Sequence, residues 1–276
     1  MIILSFVLST DAKLVASIES PDAVFGLAVL DRKLYVMRKR HSQIYVYDTK
    51  EYKLQYTISV DGLVPHCYND ITECARENCI FLSDHVAKCI RKIDANRQEK
   101  RQVSKFIDMP YEPKGLSITP EGNLLVACNP NRLVEFDPKT GYRVCELEMF
   151  MEVNWPKHAV KRKDGQYVVC HAEQDGLSRV CRVGVDGYYR HCFGGLEGSG
   201  KDQLNCPCHL AMHENSVIVA DNDNNRLVML DSSLEYVDTI VQQFTEPHRL
   251  LYDAHSKLLY VGECTKNGTI KVFQAK

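Results

Sequence analysis

The chain has 276 residues, of which 45% are hydrophobic and 25% are charged, and its formal net charge is −2 at pH 7. This composition fits a folded protein with a large core, and the small net charge provides no general attraction to nucleic acid or to anionic membranes. No apolar run approaches the ~18 residues of a membrane-spanning helix, so we predict no membrane association. Residues 1–8 are apolar but lack a basic region and a cleavage site, and we interpret them as structure rather than a signal peptide.

Short β-rich runs separated by polar turns recur along the chain, a pattern typical of consecutive antiparallel strands. The first unit has candidate strands at 26–29, 34–37, 44–48 and 53–58, and the second has them at 70–72, 79–84, 89–94 and 103–106. The third has 115–118, 123–127, 132–137 and 143–147, and the fourth has 158–160, 167–170, 179–183 and 188–193. The fifth has 209–212, 217–221, 226–231 and 236–241, and the sixth has 249–252, 258–262 and 268–273.

These units repeat at a nearly constant interval. Their second strands are separated by 46, 44, 43, 50 and 41 residues, being centred on Val36, Leu82, Val126, Val169, Val219 and Tyr260. A period near 45 with four strands per unit is typical of a β-propeller blade. The sixth unit lacks a fourth strand, and we predict that segment 13–18 supplies it and closes the ring.

The predicted fold class is therefore all-β: one six-bladed β-propeller of four-stranded blades over residues 1–276, with the N-terminal strand completing the last blade. The predicted blades are about 21–58, 66–106, 113–148, 156–193, 207–241, and 247–273 plus 13–18. Prolines at positions 21, 113, 156, 207 and 247 stand just before the predicted first strands, where a missing N–H removes no ladder bond.

Residues 207–231 carry the clearest copy of the repeat, with the pattern Pro-x-x-Leu-Ala, Val-x-Val-Ala-Asp, Asn-Arg-Leu and Leu-Asp. This pattern resembles NHL repeats, and the chain is similar to the propellers of TRIM-NHL proteins without their RING, B-box and coiled coil. Asp84 and Asp221 keep the acidic residue of the repeat, which is replaced elsewhere by Met37, Cys128, His171 and Gly262. The resemblance implies a recognition module, with a role in substrate recognition for ubiquitin ligation or in RNA binding on a basic face.

The chain contains 12 cysteines, many of them inside predicted strands, where cysteine behaves as a small buried hydrophobe. In a chain with a large core and no evident secretion signal, free thiols in a reducing compartment are the simplest interpretation, and we predict a cytoplasmic protein. The run Cys206-Pro207-Cys208-His209 suggests soft-metal or redox chemistry. No second cysteine pair at zinc-finger spacing completes it, and we interpret these residues as ordinary thiols.

Histidines concentrate on one predicted face of the propeller. The loops before the first strands and after the second strands share that face, and function is usually carried by such loops. They contain His41, His66, His85, His158, His171, His209 and His248. His158 and His209 each stand two residues after a proline, Arg249 has the equivalent place, and we expect these three to converge near the channel mouth.

The resulting prediction is a binding face for a protein or peptide partner, on a monomer without a cofactor. Its predicted residues are Arg38, Lys39, Arg40, His41, His85, Arg132, His158, His171, His209, His248 and Arg249. RNA is the alternative ligand, although acidic residues on the same face oppose it. Because Arg132, Arg179 and Arg226 recur at one repeat position, we expect them to bond turn carbonyls or Asp221 rather than a ligand.

A metal-dependent lyase or lactonase is the second alternative. The similar propeller of peptidyl-amidoglycolate lyase binds zinc through three channel histidines, for which His158, His209 and His248 are the weak candidates here. Calcium-dependent lactonases use carboxylate and amide oxygens. The corresponding candidates form an incomplete set, namely Glu19, Asn69, Asp70 and Asn154.

Overall fold

A computed structural model describes residues 12–65, 67, 69–95, 103–150, 153–172, 176–240 and 244–274. The predictions for residues 1–8 and His66 lie outside these ranges. Within the described residues, 24 strands form six four-stranded antiparallel sheets, each of which is one blade of the propeller.

Blade 1 consists of β2 (Val24–Leu30), β3 (Lys33–Arg38), β4 (Gln43–Asp48) and β5 (Leu54–Ser59). Blade 2 consists of β6 (Ile71–Cys74), β7 (Cys79–Asp84), β8 (Cys89–Asp94) and β9 (Val103–Asp108). Blade 3 consists of β10 (Glu112–Ile118), β11 (Leu124–Asn129), β12 (Arg132–Phe136) and β13 (Arg143–Glu148). Blade 4 consists of β14 (Pro156–Lys161), β15 (Tyr167–Ala172), β16 (Leu177–Val183) and β17 (Tyr189–Leu196).

Blade 5 consists of β18 (Pro207–His213), β19 (Ser216–Asp221), β20 (Arg226–Leu230) and β21 (Tyr236–Ile240). Blade 6 consists of β22 (Pro247–Asp253), β23 (Leu258–Glu263), β24 (Thr269–Gln274) and β1 (Lys13–Glu19). A single-turn 3₁₀ helix, Asn222–Asn224, is the one helical element within the described ranges.

The ring closes as the sequence predicts. The innermost strands of neighbouring blades contact each other all the way round, from β2 through β6, β10, β14 and β18 to β22 and back to β2. Strand β1 pairs antiparallel with β24, with Ile18 opposite Ile270, and so supplies the missing strand of blade 6. The prediction of an all-β, six-bladed propeller with an N-terminal closing strand is confirmed.

Among the residues that the structure describes, the core consists of six apolar clusters, each shared by two neighbouring blades. Because every blade packs on both of its faces, the second strands are apolar at successive positions rather than at alternate ones. In β19, for example, Val217, Ile218, Val219 and Ala220 are all fully buried. Burial of one such valine or isoleucine side chain contributes about 1.5–3 kcal/mol.

Two details differ from the predictions. Pro156, Pro207 and Pro247 are the first residues of their strands rather than residues just before them, a position in which no ladder bond is lost either. Pro113 was also predicted to precede its strand, but it is the second residue of β10, next to the bulge. The prediction that all thiols are free is wrong for one pair, since Cys181 and Cys192 form a disulfide. They lie directly opposite each other on β16 and β17, which brings their Cα atoms within 4.1 Å.

No helix in the described part of the chain has the length and apolar character needed to cross a membrane.

Candidate binding site at the mouth of the channel

A β-bulge at the start of the innermost strand recurs in five blades. The register shifts between Val24 and Gly26, between Pro113 and Leu116, and after the first proline of β14, β18 and β22. A bulge turns one side chain out of the regular alternation and is frequent beside functional sites. The side chains displaced at these bulges line a single cavity and are Phe25, Lys114, Lys157, Cys208 and His248.

In four of these blades the bulge lies in a four-residue sequence pattern. The first residue varies, the second is proline, the third is the bulged residue, and the fourth faces the channel. The four copies are Glu112-Pro113-Lys114-Gly115, Trp155-Pro156-Lys157-His158, Cys206-Pro207-Cys208-His209 and Glu246-Pro247-His248-Arg249. Trp155, Cys206 and Glu246 have φ values of +52°, +56° and +49°, a left-handed conformation that is uncommon for residues with a side chain. Trp155 and Cys206 consequently lie at the cavity as well.

The cavity at the channel mouth has a volume of about 550 Å³. Phe25 lies in its wall, stacked on His248 at 4.7 Å between ring centroids, with the Lys39 ammonium 5.4 Å from the Phe25 ring centroid. Three lysines and two carboxylates line the cavity, namely Lys39, Lys114, Lys157, Glu112 and Asp223. The cavity is therefore apolar in part and carries an excess of positive charge.

Burial lowers the pKa of Lys114, an effect opposed by the neighbouring Glu112 and reinforced by the Lys157 ammonium. The Lys114 and Lys157 ammonium groups thus lie close enough in the cavity wall to repel each other. An anion bound between them would stabilise their positive charges and so offset the desolvation caused by burial.

Beneath the cavity, the channel is closed by an ionic cluster of Asp70, His158, His209 and Arg249, whose exposures are 1%, 2%, 8% and 6%. The Asp70 carboxylate accepts hydrogen bonds from the backbone N–H groups of Ile71 and Leu116, both at 2.9 Å. Arg249 Nε lies 3.2 Å from Asp70 Oδ1, and His209 Nε2 lies 3.5 Å from Asp70 Oδ2. This cluster connects five neighbouring blades, from blade 2 to blade 6.

The two histidines of the cluster stack on each other, with ring centroids 3.7 Å apart and an interplanar angle of 25°. His158 Nε2 lies 3.0 Å from the Leu116 carbonyl oxygen, so the Nε2–H tautomer donates to it. Burial lowers the pKa of both rings, and for His158 the His209 charge lowers it further. Both rings are therefore neutral at pH 7, which is compatible with close stacking.

One ligand atom from each of Asp70, His158 and His209 lies within 4.8 Å of the others, so we tested this set as a metal centre. Two observations oppose a cation here. The Asp70 carboxylate is already bonded to two amides and to the Arg249 guanidinium, whose positive charge would repel a metal. The lone pairs of stacked rings also lie in two nearly parallel planes, whereas rings that share a metal must direct their lone pairs to one point. The cluster therefore connects neighbouring blades and does not fit a metal site.

The predicted convergence at the channel is thus observed for His158, His209 and Arg249, which are all buried, and Arg249 also lines the cavity. His248, Lys39 and His85 line the cavity itself. His248 is separate from the stacked pair, since its Nδ1 lies 3.3 Å from the Val24 carbonyl oxygen.

Five predicted face residues lie elsewhere. Arg38 is 6% exposed, donates to the Tyr47 hydroxyl and covers the Tyr45 ring at 3.8 Å. Arg40 pairs with Asp22 at 2.9 Å, and His41 Nδ1 lies 2.8 Å from the Tyr45 hydroxyl. Arg132 pairs with Glu148 at 2.5 Å, and His171 is fully buried. The structural role expected of Arg226 is confirmed, because it bonds Asp221 and the carbonyls of Ser199, Gly200 and Gln203.

Sequence reasoning missed Phe25, Lys114, Trp155 and Lys157, which carry the aromatic and cationic character of the cavity. Aligning the four prolines would have revealed Lys114 and Lys157, because both directly follow a proline as Cys208 and His248 do. Phe25 has no proline before it, and only the bulge in β2 shows its place.

No protein-family model matches the chain, and no curated protein sequence matches it. Among solved structures, the chain is similar to virginiamycin B lyase from Staphylococcus aureus, at 13% identity over 95% of this chain and 99% of that chain, with a TM-score of 0.65. It is also similar to the β-propeller domain of Cps50 (Swd1) from Myceliophteria thermophila, at 14% identity over 92% and 84%, with a TM-score of 0.63. A chain of a nidogen/laminin complex matches at 16% identity over 78% and 79%, with a TM-score of 0.60. At these identities, the similarity shows the fold alone.

Proposed function

We propose that this propeller is a non-catalytic recognition module that binds a peptide segment of a protein partner at the channel mouth. The segment would place an acidic group between the lysines and an apolar side chain against Phe25 and Trp155. The observation that carries this proposal is the alignment of bulged side chains from five blades around one cavity of about 550 Å³.

The chemistry of the cavity favours a ligand with both apolar and anionic parts. Trp155 is 48% exposed at the rim, and exposed tryptophans are frequent anchors in protein interfaces. Lys39, Lys114 and Lys157 would supply charge-assisted hydrogen bonds to a carboxylate. The similar solved structures include a complex between two proteins, nidogen and laminin, which shows that such folds occur in protein complexes.

The buried cluster favours binding over catalysis. Its titratable groups bond one another and the backbone, and a stacked neutral histidine pair under a paired carboxylate presents no evident nucleophile and base to the cavity. The similarity to virginiamycin B lyase supports a lyase through the fold only. We further propose, from the repeat pattern of residues 207–231, that the chain is an NHL-type propeller and that it recognises substrates for ubiquitin ligation.

RNA is the less favoured ligand because much of the positive charge on this face is already neutralised. Arg40 is bonded to Asp22, Arg91 to Asp84 and Arg226 to Asp221. Binding driven by phosphate contacts needs several protein cations that can displace the counterions of RNA, and the affinity for RNA then falls steeply as salt rises.

Selection from a random peptide library, with counter-selection against the Lys114→Glu/Lys157→Glu variant, tests the proposal. We expect selected peptides to be enriched in Asp or Glu next to an aromatic or aliphatic residue. The Lys139→Glu/Lys163→Glu variant carries the same change in net charge on exposed lysines outside the cavity and should retain binding. Two results would contradict the proposal. One is that the selected peptides bind the Lys114→Glu/Lys157→Glu variant as well as the control variant. The other is that no peptides are selected while random RNA binds in a salt-dependent way in an electrophoretic shift assay.

A further inference from the structure

Two thiols from the third bulge pattern contact each other at the cavity wall. Cys206 Sγ lies 3.6 Å from Cys208 Sγ, and both residues line the 550 Å³ cavity. Cys206 is partly exposed, whereas Cys208 is 6% exposed. The sequence alone had favoured ordinary thiols for this pair, since it showed neither the contact nor the cavity.

The local backbone explains why residues two apart are so close. Cys206 has a φ of +56°, and the register then shifts between Pro207 and His209, so both cysteine side chains turn to the same side. The Cys206 N–H donates to Ser178 Oγ at 3.1 Å, and the Cys206 carbonyl accepts from the Asn222 N–H. The pair is therefore held by the fold rather than brought together by chance motion of a loop.

The two thiols differ in the way that thiol–disulfide exchange requires. The Cys208 thiol lowers the pKa of Cys206 by hydrogen bonding, and the nearby Lys157 ammonium lowers it further, whereas burial raises it. The Cys206 contact and burial raise the pKa of Cys208. The more exposed thiol is thus the better nucleophile, and the buried thiol keeps its proton until the second step.

We propose that Cys206 and Cys208 form a reversible thiol–disulfide exchange site in the wall of the cavity, with a low-molecular-weight disulfide as the oxidant. The Cys206 thiolate attacks one sulfur of that disulfide, which breaks the S–S bond and releases one small thiolate that takes up a proton. Cys208 then loses its proton and attacks Cys206 Sγ, which releases the second small thiol. Two protein thiols are oxidised to one disulfide, and the small disulfide is reduced to two thiols.

Other cysteines of the chain serve as internal comparisons. Cys74 and Cys79 lie opposite each other on β6 and β7, but each is only 1% exposed and an oxidant cannot reach them in the folded protein. Cys264 lines the same cavity as Cys206, and burial raises its pKa. The proposal therefore predicts selectivity for Cys206 over a thiol that shares its cavity. It goes beyond the proposed function because it does not depend on a peptide ligand.

The test is incubation of the folded protein with oxidised glutathione, followed by alkylation and peptide mapping by mass spectrometry. Wild type should give a Cys206–Cys208 disulfide that dithiothreitol reverses, and Cys208→Ser should accumulate a glutathione adduct at Cys206. Cys206→Ser should abolish both products, and Cys264→Ser should leave them unchanged. Cys206 should react roughly 10-fold faster than Cys264.

Three results would overturn the proposal: no Cys206–Cys208 disulfide in wild type, adduct formation at Cys264 as fast as at Cys206, or no adduct at Cys206 in Cys208→Ser. Retention of the wild-type circular dichroism spectrum and urea midpoint confirms that each variant is folded. Cys206→Ala gives a second variant in case the serine hydroxyl disturbs the site.

Discussion

Substitution of Asp70 by asparagine is the sharpest test of the cluster that closes the channel. The change keeps the shape of the side chain and removes its charge, so Arg249 is left 6% exposed without its carboxylate partner. It also weakens the acceptor for the Leu116 amide and removes the carboxylate beside His209. The cost arises in the folded state, because the unfolded chain solvates both groups.

Removing one partner of a buried ion pair typically costs about 3–5 kcal/mol, because the remaining charge stays desolvated. We expect Asp70→Asn to lower the free energy of unfolding by that amount. Asp84→Asn is the matched control, since Asp84 is also 1% exposed but its partner Arg91 keeps 15% of its side chain in solvent. That guanidinium can turn to water, so the control should cost about 1–2 kcal/mol.

Denaturant unfolding of Asp70→Asn, Arg249→Met and the double variant measures the coupling directly. The double variant should be less destabilised than the sum of the single variants, because it leaves no unpaired charge. Additive costs, or a cost of Asp70→Asn no larger than that of Asp84→Asn, would refute the assignment of Asp70 as the electrostatic centre of the channel.

Burial lowers the pKa of His158, His209 and His248, so the unfolded chain binds protons that the folded chain does not, and the free energy of unfolding should fall as pH drops below ~6.5. Burial raises the pKa of Glu73 from 4.5 to about 7, so the folded chain binds a proton there that the unfolded chain does not, and Glu73 increases the free energy of unfolding as pH falls from 7 to 4.5. Urea titrations of Glu73→Gln, which lacks this contribution, should therefore show a steeper loss of stability with falling pH than wild type. Gly115→Ala should destabilise by roughly 1–3 kcal/mol in the same assay, because the new Cβ would lie 2.7 Å from the His158 Cα; no loss would contradict the close packing of β10 on β14. Chelator treatment should leave the thermal midpoint unchanged, and a fall in that midpoint would show that a metal contributes to the cluster.

The fold could be read from the sequence because every blade buries both faces of its sheet. That requirement repeats apolar runs such as 217–220 at intervals near 45 residues, and the period alone identifies blades. The closing strand was predictable for a related reason, since the sixth unit ended one strand short and 13–18 had no other partner.

The site was less predictable because it depends on bulges and on contacts between blades. Arg38 begins the basic run Arg38-Lys39-Arg40, yet its guanidinium is buried against Tyr45, whereas Lys39 lies in the cavity. The neighbours Lys157 and His158 likewise differ, one in the cavity wall and one buried beneath it. Charge patterns along the chain do not record which of two adjacent residues a bulge turns outward.

The chain has one tryptophan, and it lies at the rim of the cavity, so Trp155 emission reports ligand binding at the proposed site directly. Titration of the wild-type protein with a selected acidic peptide should shift or quench this emission with saturation. The Lys114→Glu/Lys157→Glu variant should bind at least about 10-fold more weakly, as expected for the loss of two charge-assisted contacts. Saturable peptide binding without any change in Trp155 emission, or with unchanged affinity in this variant, would contradict the assignment of the channel mouth as the binding site.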